Sequence, residues 1–543
     1  MYALRERPTH ARNGALLLAA LAFLPIVLFA ARAELWSPDE PRYAEVAKEA
    51  WQGDLLVMHL NREVYPDKPP LLYWLAGASG ELAGFSELSL RVPSLLATLA
   101  TAWICSRLAR RWWGPREAAL APFFWLATAM VAYIGGRLQI DPLLAFLCVA
   151  SIDLASAEPR PRMAAAGACA GLAALCKGPV AWLHVLLALA AWRFLPPPAR
   201  ASLARPARSW VAFGILALGP VVAWALAATA VEPSLAKPLF FGQHLGRAVE
   251  GTSHPGPPWD YLLDMPAELL PWTPLFLAAC VRAFRGWRSA RSGGAADAGA
   301  LRAASWLALV FVLFSILPSK RALYLLPIYP AAALLLAREA AIAERAGALP
   351  RWVRAATAVP LLLAGSALLL AGVLPGAVAR FAERDEAFQA LELLGGSLAF
   401  VGAPLLIAGA VSLAPRLPPR AWIATVGAGF VAAGALYALA VVPRINPAKS
   451  ARLVAEWVAA RPEKPSAVAC FGVRPEGYRF YAGIPAVAEP LVPALEREGA
   501  RFLGLVDRKE WGRLDAADRA RFTVLKERGV GGRDVLVLGA AAP

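Results

Sequence analysis

Apolar runs of roughly 16 to 24 residues recur along this chain, each close to the ~20 residues a helix needs to cross bilayer hydrocarbon. Thirteen segments can be laid out, at 14–33, 90–107, 117–135, 141–156, 163–176, 178–193, 210–231, 268–282, 302–318, 322–338, 354–376, 397–414 and 421–442. The chain is 58% hydrophobic and 17% charged with a mean hydropathy of +0.51, a balance that excludes an ordinary soluble domain and fits a polytopic helical membrane protein. The first run, Gly14–Ala31, follows a tail carrying Arg5, Arg7 and Arg12 and lacks a small-residue cleavage site. It is expected to be a retained helix rather than a removed leader. The six cysteines show no paired spacing, so neither a disulfide framework nor a zinc site is indicated.

A net charge of +16 could signal nucleic acid, but the arginines are spread among short inter-helix loops. With the N-terminus inside, the cytoplasmic tail and loops hold 24 Lys and Arg, and the opposite, longer loops about 13. That is the positive-inside bias, and no nucleic-acid partner is expected. The assignment leaves three segments outside: a first loop at 34–89, a second at 232–267, and a tail at 447–543. Residues 1–446 are expected to form the transmembrane domain. In the tail, short β-branched runs (AVACFGV, FLGLVD, VLVLG) alternate with helical stretches (PALEREGA, DAADRARF), which points to a small extracytoplasmic α/β domain. It has no GxGxxG or GxxxxGK(S/T), hence no expected nucleotide site.

The first outer loop carries ten acidic residues against four basic ones, although the chain is strongly basic. In SPDEPRYAEVAKE (Ser37–Glu49), Ser37 and Asp39 are placed to cap a helix, and S-x-x-E is a capping box. Tyr43, Val46, Ala47, Ala50 and Trp51 form one apolar face suited to the bilayer surface, with Glu45 and Glu49 on its solvated side. A cap explains one carboxylate and leaves the Asp39–Glu40 pair, with Arg42 close by, unexplained. In YPDKPP, which starts at Tyr65, three prolines stiffen the backbone around Asp67 and Lys68. An acid beside a lysine on a rigid loop suits a phosphate or a metal-bound phosphate, and Asp67 is the candidate ligand for a divalent metal. The next segment, LLYWLAGASGELAGF, reads as a second juxtamembrane or re-entrant helix.

More cations fall on the outer side: Arg137, near Asp141; Lys177; His244, Arg247 and His254 in the second loop; and Lys320 and Arg321, one turn before Tyr324. Singly, such residues are most often snorkelling or helix-end charges. Together they place positive charge where the inside bias predicts little, as a lipid-phosphate substrate would require.

These motifs, in this order, resemble the GT-C membrane glycosyltransferases, in the branch of protein O-mannosyltransferases and lipid A aminoarabinose (ArnT-like) transferases. The parallels are DExRYA, the KP of YPDKPP, R-x-x-x-D, KGP, the His…Arg loop and K-x-x-x-Y-x-L-P-x-x-P, over roughly residues 14–340. The resemblance implies a GT-C fold of about thirteen spans in a bacterial inner membrane, with the active site and C-terminal domain extracytoplasmic. It implies transfer of a sugar, with inversion, from a polyprenyl-phosphate carrier to a lipid A-like glycolipid, another glycan or a protein. Asp39 is then the catalytic carboxylate, with Glu40 and Asp141 as further acids. Arg42, Lys68, Arg137, Lys177, Lys320, Arg321 and Tyr324 would hold the phosphate, and Tyr65, Asp67, His244, Arg247 and His254 would complete the site. The resemblance implies no certain cofactor; a divalent metal at Asp67, where the aminoarabinose transferases would have Glu, is the one candidate.

A transporter is the rival from another class. It would place ionisable groups in mid-membrane on broken helices, and here only Asp153 departs from the outer ends and loops. An oligosaccharyltransferase is a closer rival, but Trp259–Tyr261 gives WDY without the second Trp and the Gly of WWDYG.

Overall fold

The computed structural model describes residues 8–158, 161–197, 199–200, 206–239, 255–374 and 394–541. The candidates His244, Arg247 and His254 lie outside the described residues. The chain divides into two compact units. The first comprises Met1–Phe29, Pro66–Leu71 and Pro93–Leu439, and the second Ala30–Tyr65, Leu72–Val92 and Ala440–Pro543. The first outer loop, apart from Pro66–Leu71, therefore groups with the C-terminal segment, whereas the sequence assigned it to the transmembrane domain.

The helices run in chain order α1 (Pro8–Arg32), α2 (Asp39–Gln52), α3 (Leu71–Ala83), α4 (Glu87–Trp112), α5 (Pro115–Leu126), α6 (Ala129–Ile134), α7 (Ile140–Ala155), α8 (Met163–Lys177) and α9 (Val180–Arg193). They continue as α10 (Ala207–Val231), α11 (Asp260–Glu268), α12 (Thr273–Arg291), α13 (Ala298–Ile316), α14 (Tyr329–Ala346), α15 (Arg351–Val373), α16 (Ser397–Ser412) and α17 (Pro419–Leu436). Every expected span falls on one of these helices or on a broken pair. Among the described residues six helical segments are long and apolar enough to cross a membrane alone. A seventh is added if α11 and α12, bent by 117° around the Pro271 break, form one span. The chain is a multi-pass membrane protein.

Small residues let the helices of the first unit approach closely, as packing within lipid requires. A Cβ added at Gly167 or Gly171 of α8 would lie 2.4 Å from the Phe213 carbonyl or 2.3 Å from that of Leu216, both on α10. Ion pairs tie helix ends together. Glu117 accepts from Arg338 at 2.6 Å and Arg345 at 3.0 Å, and Arg282 pairs with Glu339 at 2.6 Å. Asp153, the exception in the charge pattern, is held by Arg107 at 3.0 Å and Arg111 at 2.7 Å. Its position is a structural one, as buried acids in spans usually require a paired cation.

In the second unit the C-terminal segment folds as expected into an α/β layer structure. Strands β3 (Val468–Phe471), β4 (Ala486–Ala488), β5 (Leu503–Asp507), β6 (Phe522–Val530) and β7 (Arg533–Ala540) form one sheet in the order β4-β3-β5-β7-β6. β3 runs parallel to β4 and β5, and β7 antiparallel to β5 and β6. Alternate side chains serve opposite faces, as the two-residue strand period dictates. Val468, Leu503, Leu505, Val535 and Val537 pack with Val454 and Val458. Ala469, Val506, Leu536 and Leu538 pack with Leu491 and Ala494 on the other face. Burial on both sides explains why these strands read as continuous apolar runs.

The first outer loop supplies α2, a short hairpin of β1 (His59–Leu60) and β2 (Glu63–Val64), and most of α3. α2 begins at Asp39 after Pro38 and has no side-chain cap, so the expected Ser37 cap does not form. Instead the Glu40 carboxylate reaches back to accept from the Trp36 backbone N–H at 3.2 Å. Tyr43, Val46, Ala47 and Ala50 are buried in the protein.

Candidate active site

The second unit builds its acidic cluster on the first two turns of α2. Three-residue spacing puts Asp39 and Arg42 on one helix face, and Arg42 Nη2 donates to Asp39 Oδ1 at 2.6 Å. Their side chains are 11% and 22% exposed, so the pair is largely desolvated yet still reachable. The Arg42 guanidinium lies 5.3 Å from the Tyr43 ring centre. Tyr73 packs edge-on against Tyr43 at 5.8 Å and Tyr65 at 6.1 Å. Burial works against the Arg42 charge, but the neighbouring phenols and Asp39 outweigh it and raise its pKa above the ordinary value. Arg42 Nε is buried with no hydrogen-bond partner among the described residues, which leaves a charged donor for an incoming acceptor.

Glu40, expected as a further acid, is 1% exposed, receives Arg91 Nε at 2.8 Å and accepts from Trp36 N–H, so its carboxylate is held in a buried network. One sequence expectation on this helix is corrected. Glu45 and Glu49 are not its wet face: Arg479 pairs with Glu45 at 2.6 Å and Glu49 at 2.7 Å. Burial, only partly offset by Arg479, pushes the Glu45 carboxyl up to about 7.

The residues that hold this cluster were missed in the sequence. Arg91 is fully buried and also donates to the Ala30, Ala33 and Glu34 carbonyls. Its only signal was a lone arginine in the apolar opening of α4. Asn446 Oδ1 accepts from Glu34 N–H at 3.1 Å and Trp36 Nε1 at 2.9 Å. The Tyr481 hydroxyl accepts from Leu35 N–H at 2.8 Å and donates to Glu87 at 3.0 Å. Nothing local to positions 446 or 481 announces these contacts.

The first unit brings together three of the expected residues. Asp141 stands in the first turn of α7, Lys177 is the last residue of α8, and Tyr324 lies in a 3-10 turn at Ala322–Ile328 ahead of α14. Lys177 Nζ donates to Asp141 Oδ1 and sits 4.7 Å from the Tyr324 ring centre. The two charged side chains are 11% and 5% exposed. Arg137 lies between the rings of Phe29 at 4.6 Å and Tyr133 at 4.3 Å, and Nε donates to the Tyr133 carbonyl at 3.0 Å. Such stacking fixes a guanidinium plane while keeping its charge.

Lys320 is another of the cations expected at the phosphate. It is 8% exposed and donates to the Phe314 carbonyl at 3.3 Å and to that of Leu317, closing the end of α13 as a helix-end cation. The Arg321 backbone is pinned through the Tyr261 hydroxyl, which bonds its N–H and its carbonyl at 3.2 Å each. Tyr261 is a further residue the sequence reading passed over, noted only as part of WDY. Asp67 and Lys68 are half-buried in the turn before α3. Among the described residues no three His, Cys, Asp or Glu side chains converge as a metal-ligand set. A protein-only cage for a divalent ion at Asp67 is therefore not what these residues fit, and no step is routed through one.

The bundle of apolar helices, bearing acid–cation pairs and joined in sequence to a small terminal sheet, matches the fold of ArnT in its crystal structures. The chain belongs to the GT-C family of membrane glycosyltransferases. Residues 67–224 match the family described as dolichyl-phosphate-mannose-protein mannosyltransferase. The undecaprenyl phosphate-alpha-4-amino-4-deoxy-L-arabinose arabinosyl transferase of Edwardsiella ictaluri is 31% identical over 319 residues, 56% of this chain and 55% of that protein. The enzyme of the same name from Pectobacterium carotovorum is 30% identical over 389 residues, 68% and 66% of the two chains. The chain thus spans little more than half the length of the first of these relatives. The crystal structure of apo ArnT from Cupriavidus metallidurans superposes with a TM-score of 0.77 at 21% identity, covering 98% of this chain and 100% of that one. The same protein bound to undecaprenyl phosphate gives 0.76 at 20% identity, covering 97% and 98%.

Proposed function

We propose that this protein is a glycosyltransferase of a bacterial inner membrane that moves a sugar from polyprenyl phosphate to an extracytoplasmic acceptor. The observation that carries the reading is the content of residues 67–224. This stretch, which matches a family named for a lipid-phosphate sugar donor, holds Lys68, Arg137, Asp141 and Lys177. Within the first unit Lys177 is gathered onto Asp141 and Tyr324. Relatives about 30% identical are named for undecaprenyl phosphate and an amino sugar, so that donor class is the first choice. The named substrate makes a lipid A-like glycolipid the leading acceptor. The protein-mannosyltransferase description favours a protein hydroxyl as the second reading.

In the reaction an acceptor oxygen attacks the anomeric carbon, and the bond from that carbon to the donor phosphate oxygen breaks with inversion. The electron pair stays on polyprenyl phosphate, whose charge grows as the bond lengthens. Cations fixed beforehand at that phosphate stabilise the transition state more than the ground state. Lys177 and Arg137 are assigned to this work, with Tyr324 as a hydroxyl donor. Asp141 holds the Lys177 ammonium in place, and Lys68 and Arg321 are secondary cations. Asp39 takes the proton from an acceptor hydroxyl, oriented by Arg42. If the acceptor is itself a phosphate, no proton is removed and Asp39 positions the sugar. A divalent ion held by Asp67 would take the rest of its oxygen shell from water and substrate and would help neutralise the donor phosphate.

The charge bias supports a cytoplasmic N-terminus and an extracytoplasmic C-terminal domain. The test is single-turnover transfer by protein in liposomes, using an undecaprenyl-phosphoryl amino sugar and a lipid A acceptor. Release of undecaprenyl phosphate by the native protein, with at least a hundredfold loss in Lys177→Met, is expected; no release on either acceptor class refutes the reading.

A further inference from the structure

The last span-length segment among the described residues, Pro419–Lys449, is not α-helical throughout. After Leu436, the end of α17, it widens into a π-helical turn at Tyr437–Val441 and resumes as α18 (Val442–Lys449). Pro443 accounts for the break: it has no N–H for the Leu439 carbonyl four residues back, and its ring crowds that carbonyl. Arg444 Nη1 satisfies one carbonyl of the widened turn, donating to that of Ala440 at 2.5 Å. Wide turns of this kind are rare and recur at functional sites. This one opens on Tyr437, a residue the proposed reaction does not use.

Close approaches within the first unit place Tyr437. A Cβ at Gly434, one turn before it, would lie 3.1 Å from Pro25 Cβ on α1. A Cβ at Gly136, the neighbour of Arg137, would lie 2.5 Å from the Ile26 carbonyl, also on α1. Phe29, one turn further along α1, has its ring 4.6 Å from the Arg137 guanidinium. α1 thus packs against α17 through Pro25 and against the turn bearing Arg137 through Ile26 and Phe29. The half-buried Tyr437 phenol has Arg137 and Tyr133 as its electrostatic partners. Tyr133 is the residue whose ring and carbonyl also hold Arg137, which is 7% exposed.

We infer that Tyr437 is a positioning residue for the transfer reaction: its phenol oxygen accepts from the Arg137 guanidinium and holds the fork of Nη groups toward the donor phosphate. The inference rests on the reading of Arg137 as a cation at that phosphate. The rings of Phe29 and Tyr133 act on the faces of the guanidinium and the Tyr133 carbonyl acts on Nε. A phosphate meets the planar fork edge-on, so the angle of that edge is what a further acceptor sets. The phosphate gains charge as its bond to the anomeric carbon breaks, and a misaligned fork therefore costs more in the transition state than in the ground state. The loss falls on kcat and spares KM.

The experiment is steady-state transfer by the full-length protein in liposomes, with an undecaprenyl-phosphoryl amino sugar as donor and lipid A as acceptor. Native protein, Tyr437→Phe, Arg137→Lys and the double variant are compared. Tyr437→Phe keeps the ring and its packing and removes only the hydroxyl, so its thermal unfolding should match that of the native protein. Its kcat is expected to fall about tenfold, the strength of one hydrogen bond to a charged group, with KM for the donor unchanged to within about twofold. Arg137→Lys keeps the charge without the planar fork. In that background Tyr437→Phe should change kcat by less than about twofold, whereas a residue that only packs helices would impose the same loss in both. Native kcat in Tyr437→Phe, a tenfold loss that persists beside Arg137→Lys, or a rise in KM alone overturns the inference and leaves the proposed function standing. No transfer by the native protein refutes the proposed function itself, and the inference with it.

Discussion

Replacing Arg479 by methionine removes the cation that faces two carboxylates of the helix bearing Asp39 and Arg42. Glu45 has a side chain only 2% exposed and Arg479 one 15% exposed, so this is a desolvated pair. The Glu45 carboxyl titrates near 7 rather than at its ordinary 4.5, with burial as the leading cause. The folded state therefore holds more protons than the unfolded state between those values. Stability falls as pH rises through that window and is flat above it, a cost of about 3 kcal/mol at pH 8. Without Arg479 the buried carboxyl protonates instead, which at pH 8 costs about 1.4 kcal/mol from a value near 7, so a further loss of about 2–3 kcal/mol, that of the Glu49 contact included, is expected at pH 8. At pH 5.5 Glu45 is protonated in the folded state with or without Arg479. The loss should then shrink to that of the Glu49 contact, on the order of 1 kcal/mol. The assay is thermal unfolding of the detergent-purified full chain at both pH values, where a shift of about 2 °C is expected at pH 8 and about 1 °C at pH 5.5, since about 1 kcal/mol moves the midpoint of so long a chain by about 1 °C. Adding Glu45→Gln to the Arg479→Met background should recover most of it. Equal destabilisation at the two pH values, or no recovery by Glu45→Gln, refutes the reasoning.

Three further outcomes are expected. Arg91→Leu strands the Glu40 carboxylate and three carbonyls, and should cost about 3–5 kcal/mol or prevent folding, seen as loss of monodisperse protein on size exclusion. Asp39→Asn should leave thermal stability within about 1 kcal/mol while reducing transfer at least a hundredfold; near-normal transfer would remove Asp39 from its role. Gly171→Leu should lower the melting temperature sharply, because the added Cβ alone would lie 2.3 Å from the Leu216 carbonyl.

Helices were legible because hydrophobic length is a local signal: each of the thirteen apolar segments overlaps a helix among the described residues, where six, or seven with α11 and α12 taken together, are long and apolar enough to cross a membrane. In the tail, β3, β5 and β7 showed as β-branched runs because they are buried on both faces. β4 has only three residues and β6 carries alternating exposed charges, so neither stood out. The acidic helix was found, but its environment was not. Its periodicity identifies an apolar face and cannot show that the opposite face meets Arg479. Leu35 and Tyr481 bond across 446 positions, and no local pattern encodes such a partner. Arg91 and Lys320 show the same limit. One reads as a stray charge and is the centre of a buried network; the other was read as a cation for phosphate, and its hold on a helix end did not show. The Asp141–Lys177–Tyr324 grouping was half legible, since each residue was flagged separately but only the fold brings them together.

The central claim, lipid-phosphate-linked sugar as donor, is tested most directly by lipid mass spectrometry of cells with and without the gene. Deletion should cause one polyprenyl-phosphoryl sugar to accumulate, and expression of the native protein, but not of Lys177→Met, should clear it. No change in any lipid-linked sugar on deletion would contradict the account.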